Sequence, residues 1–195
     1  MSKIITISRQ FGSGGRTIGK MLSEKLGIPC YDQEIIEKIA EESGFHKDFI
    51  AERSEYSAYG GWFASAFVPR DRNGHSIESD LWSMQYKIIT DLAKEGPCII
   101  VGRCADYILK DDYELIKVFV YSDLKKRAER IVQQYGESDV EPEKRLIDKD
   151  KKRAAYYNFY TDTKWGDSKN YDICLNSGTI GLEKCADILS QLYAL

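Results

Sequence analysis

Short apolar runs alternate with amphipathic stretches along most of the chain. Residues 3–8 read KIITIS, rich in β-branched side chains and followed at once by a glycine-rich turn, and predict a buried strand. The next stretch places Ile18, Met21, Leu22 and Leu26 at helical spacing and stops at Gly27. Residues 28–31 predict a short second strand ending at Asp32. A helix is expected over 34–42 through Ile35, Ile36 and Ile39, closed by Gly44. Residues 77–95 carry a long amphipathic pattern through Ile77, Leu81, Met84, Ile88 and Leu92, ended by Gly96 and Pro97. The apolar run 98–101 reads as a central parallel strand covered on both faces, and it stops at Gly102 and Arg103. A further strand is expected over 115–121, two basic helices over 124–135 and 143–160, a last strand over 171–175 and a last helix over 182–192.

Strands alternating with helices predict a parallel α/β sheet with right-handed crossovers. Ligands on such sheets bind beyond the carboxyl ends of the strands, so Ser8, Asp32, Gly102 and Tyr121 mark where chemistry is expected. Residues 54–74 break the pattern with mixed aromatics, two adjacent glycines, Pro69 and two arginines. They read as an insert over the site or as a contact in a homodimer. Arg70 and Arg72 meet an anionic acceptor or belong to a surface loop. Trp62, Phe63 and Phe67 stack on a base or form an oligomer contact.

Composition narrows the partners. A chain of 195 residues, 43% hydrophobic and 30% charged, suits one folded domain. With a formal charge of −3 there is no global positive field, so neither nucleic acid nor a membrane surface is expected as a partner. The start MSKIITIS lacks a signal-peptide core, and a cytoplasmic location is the expectation. The five cysteines form no C-x-x-C pair and the two histidines give no zinc spacing. The cysteines read as reduced buried thiols, with Cys104 singled out by its place beside Arg103.

The strongest chemical signal follows the first strand, where the chain reads SRQFGSGGRTIGK. Against the phosphate-loop pattern G-x-x-x-x-G-K-[ST], Gly15 fills the second glycine, Arg16 the lysine and Thr17 the hydroxyl, while Gln10 stands at the first glycine. Gly12, Gly14 and Gly15 let the backbone turn back and aim N–H groups inward, and the helix starting near Arg16 adds its positive end. Arg16 supplies a cation as a planar fork, and Thr17 a Mg²⁺ ligand. The candidate binders of nucleotide phosphates are therefore Gly12, Ser13, Gly14, Gly15, Arg16 and Thr17. The alternative is a plain glycine-rich strand-to-helix turn.

Five segments occur in order over nearly the whole chain: ISRQFGSGGRTIG, LGIPCYDQEII, CIIVGRCADYIL, DKDKKRAAYY and YDICLNSG. Together they resemble the cytidylate kinase-like group of P-loop kinases. The resemblance implies a P-loop NTPase three-layer α/β sandwich with a five-stranded parallel sheet in the order 2-3-1-4-5. It implies a core from 1–32, 77–135 and 166–195, an acceptor-binding helical insert over about 33–76 and a basic helical lid over about 136–165. It also implies ATP, Mg²⁺ and γ-phosphoryl transfer to a nucleoside monophosphate such as CMP or dCMP, by positioning and charge neutralisation.

Carried over by position, Asp32 lies near the metal and the acceptor phosphate, or else caps the following helix. Arg103 grips the acceptor phosphate. Lys149, Lys152 and Arg153 fall where lid cations clamp the transferring phosphoryl group, or on a solvated helix face. Asn176 begins the loop bordering adenine. The chain departs from the family pattern at Val101 and Cys104, where carboxylates are usual, and the nearest acid is Asp106. That leaves Mg²⁺ to Thr17, Asp32, water and the phosphates. Two other readings stay open: a nucleotide-binding regulator that has lost catalysis, and a kinase for a different small metabolite.

Overall fold

Five parallel strands form one sheet in the order β2-β3-β1-β4-β5, the order that the resemblance implies. The computed structural model describes residues 3–44, 46–47, 50 and 77–195. The strands are β1 (Lys3–Arg9), β2 (Cys30–Tyr31), β3 (Ile99–Val101), β4 (Glu114–Tyr121) and β5 (Ile173–Asn176). β1 is central and pairs with β3 on one side and with β4 on the other. Arg70, Arg72, Trp62, Phe63 and Phe67 lie outside the described residues, as does the whole of 51–76.

The period-2 pattern of the strands explains the three layers. Ile4 and Ile100 point to one face of the sheet, while Ile5, Ile7, Ile99 and Val101 point to the other. On the first face lie α2 (Gln33–Ser43), α3 (Ile77–Lys94) and the single turn α4 (Ala105–Ile108), through Ile35, Ile39, Leu81, Ile88, Leu92 and Ile108. On the second face lie α1 (Gly15–Leu26) and α8 (Leu182–Tyr193), through Ile18, Leu22, Cys185, Ala186 and Leu189. Both faces are dry, so β1 and β3 need continuous apolar sequence rather than alternation.

The other α-helices are α5 (Leu124–Tyr135), α6 (Pro142–Thr161) and the short α7 (Ser177–Ile180), with a 3-10 turn at Ser168–Asn170 ahead of β5. α6 falls within 136–165, the stretch for which a basic helical lid is expected. Its C-terminal half packs through Tyr156 and Tyr157 against Cys104 and Trp82. Trp82 of α3 stacks on Tyr160 with ring centroids 4.1 Å apart. No helix of the described residues is long and apolar enough to cross a membrane.

Candidate functional site

The glycine turn joins the carboxyl end of β1 to the start of α1. Gly12 (φ 74°) and Gly14 (φ 83°) both adopt left-handed backbone, which a side chain would strain. A Cβ on Gly12 would also come within 2.9 Å of Ile131 Cγ2 and 3.1 Å of the Arg127 carbonyl oxygen. Gln10, at the position of the missing glycine, has a structural use. Its backbone N–H donates to the Val120 carbonyl (3.0 Å), and its side-chain oxygen accepts from the Ser122 N–H (3.2 Å). The turn is thus tied to the end of β4.

Gly12, Gly14, Gly15, Arg16 and Thr17 line a cleft of about 160 Å³. At its floor are the first turn of α1 and its positive end, an arrangement suited to phosphate. Ser13 is not brought to this cleft. It is fully buried, and its hydroxyl reaches the carbonyls of Gln10 (2.8 Å) and Val120 (3.0 Å).

Asp32 occupies the N-cap position of α2 but makes no capping hydrogen bond with its side chain. Its buried carboxylate is turned to two guanidinium groups instead. Arg16 Nε is in close ion-pair contact with Oδ2, and Arg9 Nη2 lies 3.8 Å from Oδ1. The cation standing for the phosphate-loop lysine is therefore already engaged by a carboxylate. Arg9 escaped the sequence reading because β1 runs one residue past Ser8. A charged side chain closing an apolar strand at the ligand-binding edge of the sheet was the available signal.

Arg103 follows β3 in a turn of three consecutive residues with positive φ: Gly102 (77°), Arg103 (59°) and Cys104 (54°). Two of these are non-glycine residues in sparsely populated backbone, a local strain of the kind found at functional sites. The Arg103 carbonyl accepts a hydrogen bond from Gln85 Nε2 (3.0 Å), which also reaches the Tyr156 hydroxyl (3.2 Å). Arg9, Arg103, Arg153, Tyr156 and Trp165 line a second cavity of about 30 Å³. Cys104, buried at the same turn, is not in a disulfide with another described cysteine.

α6 is fastened to the glycine turn by two of its side chains. Asp150 accepts from the Phe11 N–H (2.7 Å) and from Arg127 Nη1 (2.6 Å). Arg127 also donates to the Phe11 carbonyl at 3.1 Å. Arg153 Nη1 donates to the Arg9 carbonyl (3.1 Å), and its guanidinium lies 5.5 Å from the centre of the Phe11 ring. Asp150 and Arg127 were not singled out in the sequence, where they sit inside charged runs without a pattern of their own. Lys149 and Lys152 are half-buried on α6 and line neither cavity.

Asp106 is buried on α4, and its Oδ2 accepts the Tyr157 hydroxyl at 2.7 Å. Burial raises its pKa above the ordinary value of 3.8, and the Tyr157 hydrogen bond offsets part of the rise. The Asn176 carboxamide caps α7, accepting from the N–H groups of Gly178 (3.2 Å) and Thr179 (3.3 Å). Among the described residues no three His, Cys, Asp or Glu side chains gather as a metal cage.

Known proteins share this architecture. The family model described as cytidylate kinase-like matches residues 4–179. A cytidylate kinase of Methanobrevibacter smithii is 26% identical over 189 residues, 95% of each chain. A crystal structure of an uncharacterized protein from Eubacterium ventriosum superposes with a TM-score of 0.73 at 27% identity, covering 98% of each chain. The shikimate kinase of Acinetobacter baumannii, solved with shikimate, shares the fold at a TM-score of 0.56 and 18% identity, covering 100% of this chain and 93% of its own.

Proposed function

Because the chain belongs to the cytidylate kinase-like family, we propose that it is an ATP-dependent phosphotransferase that phosphorylates a nucleoside monophosphate, with CMP and dCMP the first acceptors to test. One observation carries this reading. A cleft of about 160 Å³ at the glycine turn and the start of α1 shares Arg9 and Arg153 with a second, arginine-lined cavity. Donor and acceptor phosphates need such neighbouring cationic seats, since phosphoryl transfer is driven by positioning and charge neutralisation.

In this reading Gly12, Gly14, Gly15 and the start of α1 hold the nucleotide phosphates. Arg103 holds the acceptor phosphate, and Arg153 draws α6 onto the transferring group. The donor set fits Mg²⁺ of the kind that takes most of its ligands from phosphates and water. Thr17, which borders the donor cleft, and the Asp32 carboxylate, ion-paired with Arg16, would hold the ion. The ion would neutralise charge on the phosphates. Ser13 and Asn176 shape their loops through hydrogen bonds to the backbone, while Lys149 and Lys152 lie on α6 away from both cavities. A cytoplasmic monomer or homodimer without nucleic-acid or membrane partners fits the acidic chain.

A second reading, a nucleotide-binding regulator without turnover, has one observation in its favour: Arg16 is held by Asp32. Purified protein with ATP and Mg²⁺, tested against a panel of nucleoside monophosphates and small hydroxylated metabolites for ADP release, separates the two. Turnover on a monophosphate, reduced roughly 10²-fold by Arg103→Ala, is the expected result. ATP binding with no turnover on any acceptor supports the regulator, and turnover on a metabolite alone overturns the acceptor assignment.

A further inference from the structure

Two side chains, Arg9 and Arg153, line both the phosphate-loop cleft and the smaller arginine cavity. Arg153 belongs to α6, which falls where the resemblance implies a lid. Arg9 belongs to the sheet itself, as the last residue of β1. It is therefore the fixed member of the pair, placed where donor and acceptor seats meet.

The surroundings of Arg9 are shaped around it. Its Cβ packs where a Cβ on Gly15 would sit, 2.7 Å away. Its guanidinium crosses the backbone at Gly102, where any Cβ would overlap Nη1. Two residues without side chains, one from each side of the site, thus leave a channel for one arginine. At 8% exposure its charge is largely withdrawn from water. Asp32 lies 3.8 Å away and is also in contact with Arg16. Arg103 and Arg153 add positive charge to the same small cavity. A phosphoryl group entering there meets cations from the sheet, from the turn after β3 and from α6 together.

We propose that Arg9 binds the γ-phosphoryl group at the boundary of the two cavities and holds it during transfer. This rests on the phosphotransferase reading and assigns within it a residue outside the glycine turn. An oxygen of the acceptor phosphate forms the new P–O bond as the bond from the γ-phosphorus to the β,γ-bridging oxygen breaks. The electron pair of that bond leaves with ADP. Arg9 keeps its proton throughout and donates hydrogen bonds to the equatorial oxygens. Arg16, at the position of the usual lysine, keeps Asp32 in place.

The test needs no acceptor. Binding of ADP and of the β,γ-imido analogue of ATP is measured by calorimetry for the wild type, Arg9→Gln and Arg9→Lys, each checked by thermal unfolding. Arg9→Gln should weaken the imido analogue about 10- to 100-fold, the loss expected for a charge-assisted hydrogen bond, and leave ADP within about 2-fold. Equal weakening of both ligands, or of neither, overturns the proposal. If Arg9→Gln does not fold, Arg9→Lys decides: the imido-to-ADP preference should fall by about 3-fold or more, and an unchanged preference overturns the assignment. Failure of the phosphotransferase reading looks different. The wild type would then bind the imido analogue, lose that binding selectively on Arg9→Gln, and still release no ADP with any acceptor.

Discussion

Replacing Asp150 by alanine removes one carboxylate that holds two groups directly and a third through Arg127. Oδ1 accepts the Phe11 N–H at 2.7 Å, Oδ2 accepts Arg127 Nη1 at 2.6 Å, and Arg127 in turn holds the Phe11 carbonyl at 3.1 Å. The ion pair is withdrawn from water, with side-chain exposures of 7% for Arg127 and 15% for Asp150. Stripping a buried guanidinium of its partner costs about 3–5 kcal/mol, far more than the ~0–1 kcal/mol of a surface pair. For a chain of this size each kcal/mol shifts Tm by about 2–4 °C, so Asp150→Ala should melt roughly 6–20 °C below the wild type. Asp150→Asn keeps an acceptor for the Phe11 N–H and should lose less. A double-mutant cycle with Arg127→Met, followed by thermal and urea unfolding, measures the coupling. The reasoning fails if Asp150→Ala unfolds within about 1 kcal/mol of the wild type, or if the cycle returns no coupling.

Two further perturbations follow from the strained turn and the buried acid. Gly102→Ala puts a Cβ at φ 77° and into the guanidinium of Arg9, so it should destabilise by at least the ~1–2 kcal/mol of a left-handed residue and lower affinity for the β,γ-imido analogue as Arg9→Gln does; unchanged Tm and affinity would contradict the packing of Arg9 on Gly102. Burial holds the pKa of Asp106 above 3.8, so the folded state binds this proton more tightly than the unfolded chain. Its contribution to stability is then fullest below pH 3.8 and declines as pH rises through the folded-state value. Asp106→Asn keeps an acceptor for the Tyr157 hydroxyl and removes the buried charge. It should gain stability relative to the wild type between pH 4 and pH 7 in urea melts, and a loss that grows with pH would refute this.

The runs at 3–8 and 98–101 announced dry central strands, because continuous β-branched sequence is what a strand covered on both faces requires. The glycine turn was visible because left-handed backbone demands glycine at particular places. Asp32 and Arg103 could be picked out because chain order alone puts them at strand ends on the ligand-binding edge. Three-dimensional structure was needed to resolve the ambiguity at Asp32, where the carboxylate turns from its own helix to Arg9 and Arg16.

What the sequence could determine by itself was set by local constraints: which segments bury both faces, where the backbone must turn, and in what order the strands come. Only the tertiary structure decided which charges face one another. Phe11 and Asp150 are 139 residues apart, Arg153 and Arg9 144. No periodicity links such positions, because the contact between them is created by the crossing of α6 over the glycine turn. For the same reason Arg9 read as the polar end of a strand. Its place between two cavities depends on Gly15 and Gly102, which lie close to it only once β1, α1 and β3 are packed.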